Sequence, residues 1–192
     1  MASSLFLCRL GLPALLLLVV AAPAGPARAG LFVGASAGPS LLREEGHAPP
    51  LCCNERENWN APGARVGGRF GYEFVGPLRI GVDLGVALYQ VPGLELRVFS
   101  PDAGATVTGQ LRLSVVTVEL GAGAGWRHFS GTAHLGTSDR AVSKGAVDLR
   151  ATIGVHARAG SRHSLGAELT IAKVLIEQTV ATLSFVIGWD IL

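Results

Sequence analysis

The sequence predicts an all-β fold, an eight-stranded antiparallel up-and-down transmembrane β-barrel. Three observations carry that prediction. Residues 64–74 and 78–88 alternate between apolar positions and polar, small or glycine ones, the period of two that places successive strand side chains on opposite faces. Beyond Gly30 no run of 18 apolar residues exists, so no helical span is expected. The first 29 residues read as an export signal. An exported apolar chain without a spanning helix is accommodated by a closed barrel, because hydrocarbon offers no partner to backbone N–H and C=O groups.

The signal is read from three parts. Arg9 supplies the positive start, Leu10 to Val20 is apolar except for Gly11 and Pro13, and Ala27-Arg28-Ala29 is an A-x-A cleavage signature. The run is shorter than the roughly 20 residues of a membrane anchor. Cys8 lies ahead of the apolar core, which excludes a lipoprotein cysteine. Two regions follow: a signal peptide over 1–29, cleaved near Ala29, and one barrel domain over 30–192. Removing Arg9 and Arg28 from the 16 basic residues leaves 14 against 14 acidic ones. No basic stretch remains to neutralise a run of phosphates, so nucleic acid is excluded as a partner.

The strands are read in chain order. Leu31, Val33, Ala35 and Ala37 alternate with Phe32, Gly34, Ser36 and Gly38. In 64–74 the apolar or bare positions are Ala64, Val66, Gly68, Phe70, Tyr72 and Phe74, against Arg65, Gly67, Arg69, Gly71 and Glu73. In 78–88 Leu78, Ile80, Val82, Leu84, Val86 and Leu88 oppose Arg79, Gly81, Asp83, Gly85 and Ala87, with Tyr89 next on that face. If Val75 to Pro77 is a three-residue turn, Glu73 faces Arg79, Arg69 faces Asp83, and glycines face glycines between them. Opposite charges so placed each stabilise a pair by a few tenths to about 1 kcal/mol. So much glycine between paired charges fits a narrow interior, with the apolar face turned to lipid.

Further alternations run through 118–127, 147–158, 164–171 and 182–191, making seven strands. An eighth is expected, since single-chain bacterial barrels use even numbers. Two readings supply it. In the preferred one a tight turn near Val115-Val116 joins strands 105–115 and 117–129, although that spot has no Gly, Pro, Asn or Asp. In the other, Ser100 to Gly104 is the turn between long strands 78–99 and 105–128, and a short strand follows within 129–138. Residues 39–62, 90–104 and 130–145 are read as long polar connections; 75–77 and 159–162 as short ones.

The export signal, the eight alternating strands and a final strand ending at the C-terminus resemble the small outer-membrane β-barrel proteins of the OmpA, OmpX and OmpW kind. The likeness covers nearly all of 31–192 and includes Gly121-Ala-Gly-Ala-Gly-Trp126 and Ser164-Leu-Gly-Ala-Glu-Leu-Thr170. It implies the bacterial outer membrane as the address, outer-membrane lipid and lipopolysaccharide as surroundings, and contact with the insertion machinery. It also assigns the short turn 75–77 to the periplasm. That family commonly ends on an outward aromatic, whereas this chain ends Trp189-Asp-Ile-Leu192.

Candidate chemistry is sparse. Arg65, Arg69, Glu73, Arg79, Asp83, Glu119, Asp148, Arg150, Arg158 and Glu168 are expected inside the bore, pairing to plug it rather than forming an ion or proton path, because an eight-stranded interior is filled by side chains. Cys52 and Cys53, in the first long connection, could form a strained vicinal disulfide or link to another molecule. Arg127-His128-Phe129-Ser130-Gly131 resembles the His-x-Ser element of lipid A deacylases of the PagL type, but Gly131 stands where Asn is usual and no acidic third member is evident. His47, His134, His156 and His163 lack metal-ligand spacing, so neither metal nor cofactor is expected. The expectation is a non-enzymatic structural or surface-interaction barrel, porin-like at most in admitting small solutes poorly, with an extracellular partner the sequence does not identify. Its rivals are a lipid-modifying enzyme at His128 and Ser130, and a soluble periplasmic barrel that turns its apolar face inward around a ligand.

Overall fold

The computed structural model describes residues 29–44, 60–74, 76–91, 96–135, 138–159, 162–175 and 178–190. Residues 1–28 of the signal segment 1–29 and the pair Cys52 and Cys53 lie outside them. Eight strands follow in order: β1 Gly30–Glu44, β2 Asn60–Glu73, β3 Leu78–Val91, β4 Leu96–Leu113, β5 Val116–Leu135, β6 Ser138–Ala159, β7 His163–Val174 and β8 Gln178–Asp190. Each pairs antiparallel with its sequence neighbours, and β1 pairs with β8, so the sheet closes into a barrel. Closure leaves no edge of unpaired backbone groups, the condition for crossing hydrocarbon with strands.

The β2–β3 register follows the charge pairing: Glu73 opposes Arg79, Arg69 opposes Asp83, Gly71 opposes Gly81 and Gly67 opposes Gly85. Between β4 and β5 the chain turns over Ser114 and Val115, with Leu113 opposite Val116. Ser114 takes a positive φ of 50°, where a two-residue turn of this hand ordinarily places glycine. The turn is thus made without a customary turn former. The alternative turn at Ser100 to Gly104 is overturned, because Pro101 to Gly104 lie inside β4 opposite Asp83 to Val86. Among the described residues no separate strand lies within 129–138, of which 129–135 belong to β5.

Two connections read as long are corrected likewise. Residues 96–104 belong to β4, and 130–135 and 138–145 to β5 and β6. Their polar residues mark strand that has left the apolar layer, and polarity alone does not separate such strand from loop.

An apolar belt surrounds the barrel. Outward positions are apolar or small over 31–41 of β1, 64–74 of β2, 78–88 of β3, 116–126 of β5 and 147–157 of β6. Each run is about 11 residues, the length of a tilted membrane strand. At about 3.4 Å per residue and a tilt of about 40°, that gives a height of about 28 Å, close to the roughly 30 Å hydrocarbon layer. Tyr72, Phe74 and Trp189 stand outward near the end that carries the chain's first and last strand ends, and Phe99 and Trp126 stand outward towards the other. Such girdles mark the two interfaces of a membrane barrel. The soluble reading, with the apolar face inward, is overturned across this belt.

Above the belt the pattern inverts. The next outward residues are Arg43, Gln90, Arg97 and His128, with Lys173 on β7 at the same boundary. At that level the inward side chains are mostly apolar: Leu42, Val91, Leu96, Val98, Phe129, Val174 and Val180 belong to one buried cluster, with Gln178 buried opposite Val174. A barrel inside-out within lipid becomes an ordinary water-soluble sheet where its strands protrude.

This boundary predicts a position-dependent cost. Ile153→Arg, near mid-height of the belt, is expected to lower unfolding free energy in phospholipid vesicles by about 2–4 kcal/mol, and Ser143→Arg, above it, by about 0–1 kcal/mol. Equal small losses in urea titrations would mean that the belt faces water.

Candidate functional site

The bore is filled by side chains from the inward set of every strand, and the charges sort into three levels. Nearest the terminal end, Arg79 donates to Glu73 (2.9 Å) and to Glu119 (3.0 Å). Arg112 pairs with Glu73, and Gln110 donates to Glu119 at 2.7 Å. Arg79 also lies 4.1 Å over the Phe32 ring, a further attraction for a cation held away from water. In the middle, Arg69 pairs with Asp83 and forks onto Glu168 (2.7 and 3.0 Å), while Thr106 donates to Asp83 at 2.8 Å. Higher, Arg65 forks onto Asp102 (3.0 and 2.9 Å). Arg150 grips Asp148 at 2.7–2.9 Å, and both Arg127 and Arg150 lie 3.6 Å from Asp102.

Six arginines (65, 69, 79, 112, 127 and 150) therefore meet six carboxylates (73, 83, 102, 119, 148 and 168) among the described residues. Equal numbers matter, since an unmatched charge in so enclosed a place is costly while a matched one is tolerated. Nine of the ten residues singled out in the sequence sit in these pairs. The tenth, Arg158, stands exposed at the terminal rim and outside them. Asp102, Arg112 and Arg127 complete the set. Asp102 was hidden in a stretch read as loop, although it shares its phase with Gly104, Thr106, Thr108 and Gln110.

Glycine makes the arrangement possible at specific places. A Cβ on Gly85 would strike the Arg65 guanidinium, and one on Gly81 would lie 3.0 Å from the Phe32 ring. The long side chains lie flat on bare backbone, which lets a narrow bore hold so many of them. A cavity among the charges, lined by Arg65, Arg69, Asp83, Asp102 and Glu168, has a volume of about 40 Å³, room for a few waters. Towards the far end Ser40 bonds Tyr89 (3.0 Å) and Thr182 (2.8 Å), and the apolar cluster lies beyond them.

His128 and Ser130 share the outward face of β5 just above the belt, and they do not bond each other. His128 Nε2 lies 3.3 Å from Ser143 Oγ on β6, and Ser130 donates to the Phe99 carbonyl at 3.4 Å.

No protein-family model matches the chain, and no curated protein matches it. Solved structures do. Neisserial surface protein A (NspA) aligns with a TM-score of 0.59 at 20% identity, over 85% of this chain and 99% of that one. Ail, the attachment invasion locus protein of Yersinia pestis, aligns at 0.54 and 13% identity, over 86% and 99%. The outer-membrane protein AlkL, solved in lipid bilayers, aligns at 0.52 and 15%, over 88% and 93%. The chain has the fold of the small eight-stranded outer-membrane barrels. At these identities the likeness concerns the scaffold, and the contents of this barrel's bore have to be read from its own residues.

Asp102 accepts both hydrogen bonds of the Arg65 fork and is the counter-charge of Arg127 and Arg150 at 3.6 Å, so its loss should be felt most. Asp102→Ala is expected to lower unfolding free energy by about 3–5 kcal/mol, the cost of leaving buried charges uncompensated. The shift of the urea midpoint of the refolded barrel measures it. A loss below 1 kcal/mol would show the upper pairs to be water-screened.

Proposed function

We propose that this protein is a non-enzymatic barrel of the bacterial outer membrane, reached after signal-peptide cleavage near Ala29, which holds its far-end connections at the cell surface for a structural or interaction role. The observation that carries the reading is the filled bore: matched ion pairs through the membrane level, closed above by Leu42, Leu96, Val98, Phe129, Val174 and Val180. A barrel so filled has no passage to offer, and what remains on display is the protruding sheet and its loops. The names of two similar proteins, a surface protein and an attachment protein, accord with such a role.

Outer-membrane lipid is the surrounding partner. The outward Arg43, Arg97 and Lys173 stand at the upper limit of the belt, where they would meet the phosphates of lipopolysaccharide. The insertion machinery is the partner during assembly, and an extracellular partner would engage the loops. For lipid deacylation, His128 would have to activate Ser130, but it is bonded to Ser143 instead.

Fractionation tests the address. The chain should be recovered with outer membranes and migrate faster unheated than boiled in a denaturing gel; recovery in soluble periplasm would refute it. Two further measurements test the role. Planar bilayers containing the purified barrel should show no stable conductance steps. Lipid A mass spectra should be the same for cells carrying the natural protein, Ser130→Ala or none. Acyl loss that depends on Ser130 would establish the enzyme instead.

A further inference from the structure

We propose that Glu119, His156 and Glu168 form a binding site for one divalent transition-metal ion of the zinc class inside the barrel. The register builds the site from three adjacent strands. Glu119 of β5 and Glu168 of β7 both oppose Gly154 of β6, one on each side. Gly154 has no side chain, and the next inward residue of β6, His156, turns its ring into the space between the two carboxylates. A Cβ on Gly154 would lie 2.9 Å from both His156 Nε2 and Glu168 Cγ, so the glycine keeps this space clear.

Three facts point to a ligand at this place. One ligand atom from each residue lies within 4.8 Å of the other two. His156 is 5% exposed, and its Nε2 has no hydrogen-bond partner, whereas buried polar atoms are ordinarily satisfied. That nitrogen lies 3.3 Å from Glu168 Oε1 and 3.6 Å from Glu119 Oε2. Tetrahedral zinc with bonds of about 2.0–2.1 Å sets its ligand atoms about 3.3 Å apart, so the two histidine–carboxylate spacings need little adjustment, and the carboxylates, within 4.8 Å of each other, close onto the ion.

The donor set selects the class of ion. One imidazole and two carboxylates suit zinc and its first-row neighbours, while calcium asks for six or more oxygens. The surroundings act as an outer shell. Arg79 and Gln110 hold Glu119 by Oε1 and leave Oε2 facing the histidine, and Arg69 fixes Glu168. Such partners orient ligating carboxylates. A small polar cavity lined by Glu73, Thr117, His163 and Ser164 adjoins Glu119 and His156 on the terminal side, and water from there would complete the coordination. The spacing of histidines in the sequence carries no sign of this site, because its ligands lie on separate strands and only the register unites them.

The test is zinc titration of the refolded, untagged mature chain in detergent micelles, followed by calorimetry. At pH 7.5 one more equivalent of zinc should bind than to His156→Ala, while His163→Ala keeps that equivalent. Gel heat-modifiability verifies folding of each variant; His156→Gln, which leaves a polar group between the carboxylates, serves if His156→Ala does not fold. Cobalt substituted for zinc should give visible bands that vanish in the same His156 variants. Equal zinc stoichiometry in the natural and His156-substituted chains, or no uptake by either, overturns the proposal.

Discussion

Every backbone N–H and C=O that crosses hydrocarbon must find its partner within the protein, and in this chain that demand is met only by the pairing of β1 with β8. Leu41 opposite Ala181 and Phe32 opposite Asp190 close the ring, and all else follows from its size. Eight strands enclose a bore that side chains fill. The inward set therefore has to be close-packed and electrically balanced, while the outward set has only to be apolar over about 11 residues. The two sets are decided by different solvents, which is why one is rich in leucine, valine and isoleucine and the other in arginine, carboxylates and glycine.

Packing and charge are coupled within the bore. Long arginines reach across it: Arg69 of β2 touches Glu168 of β7, and Arg65 of β2 touches Asp102 of β4. These contacts cross-link strands that share no backbone hydrogen bonds. Their reach depends on glycine at the crossing points, where Gly85 lies beneath Arg65 and Gly104 and Gly125 lie beside Arg150. Pairing of this kind is weak evidence of net stability, since desolvation offsets much of the attraction. What the pairs fix is which strands meet across the bore, Arg69 tying β2 to β3 and β7 and Arg65 tying β2 to β4.

Where the sequence speaks through local pairing, it was legible. The β2–β3 register could be read because two charge pairs and two glycine pairs fall on one three-residue turn, and a shift by one residue would have put Arg69 on the lipid face. The β4–β5 turn was harder, since Ser114 does there what glycine usually does. Residues 96–104 are not legible as strand because Arg97, Ser100, Pro101 and Asp102 put polar residues and a proline on both faces, a composition that protruding strand shares with loop. The interior pairs among distant strands, and the meeting of Glu119, His156 and Glu168, depend on how eight strands close and not on neighbours in sequence. Period-two reading shows which face a residue occupies but not which strand it meets across the bore.

The inversion of polarity at the far end follows from the same rule of solvent. Once strands leave the hydrocarbon their outer faces meet water, and the outward residues become Arg97, His128 and Ser143. The inner faces then need no charges to fill them. Phe129, Leu96 and Leu42 pack as they would in a soluble sheet, at about 25 cal/mol for each Å² of apolar surface removed from water. This cluster contributes what the ion pairs do not, an apolar filling of the bore at the level where the strands protrude. Burying a charge there without a partner would cost several kcal/mol or more, which is why the matched ion pairs stop below this level. Among the described residues, polar groups within reach of water therefore gather at two places: the outer face of the protruding sheet, and the small polar cavity at the terminal end.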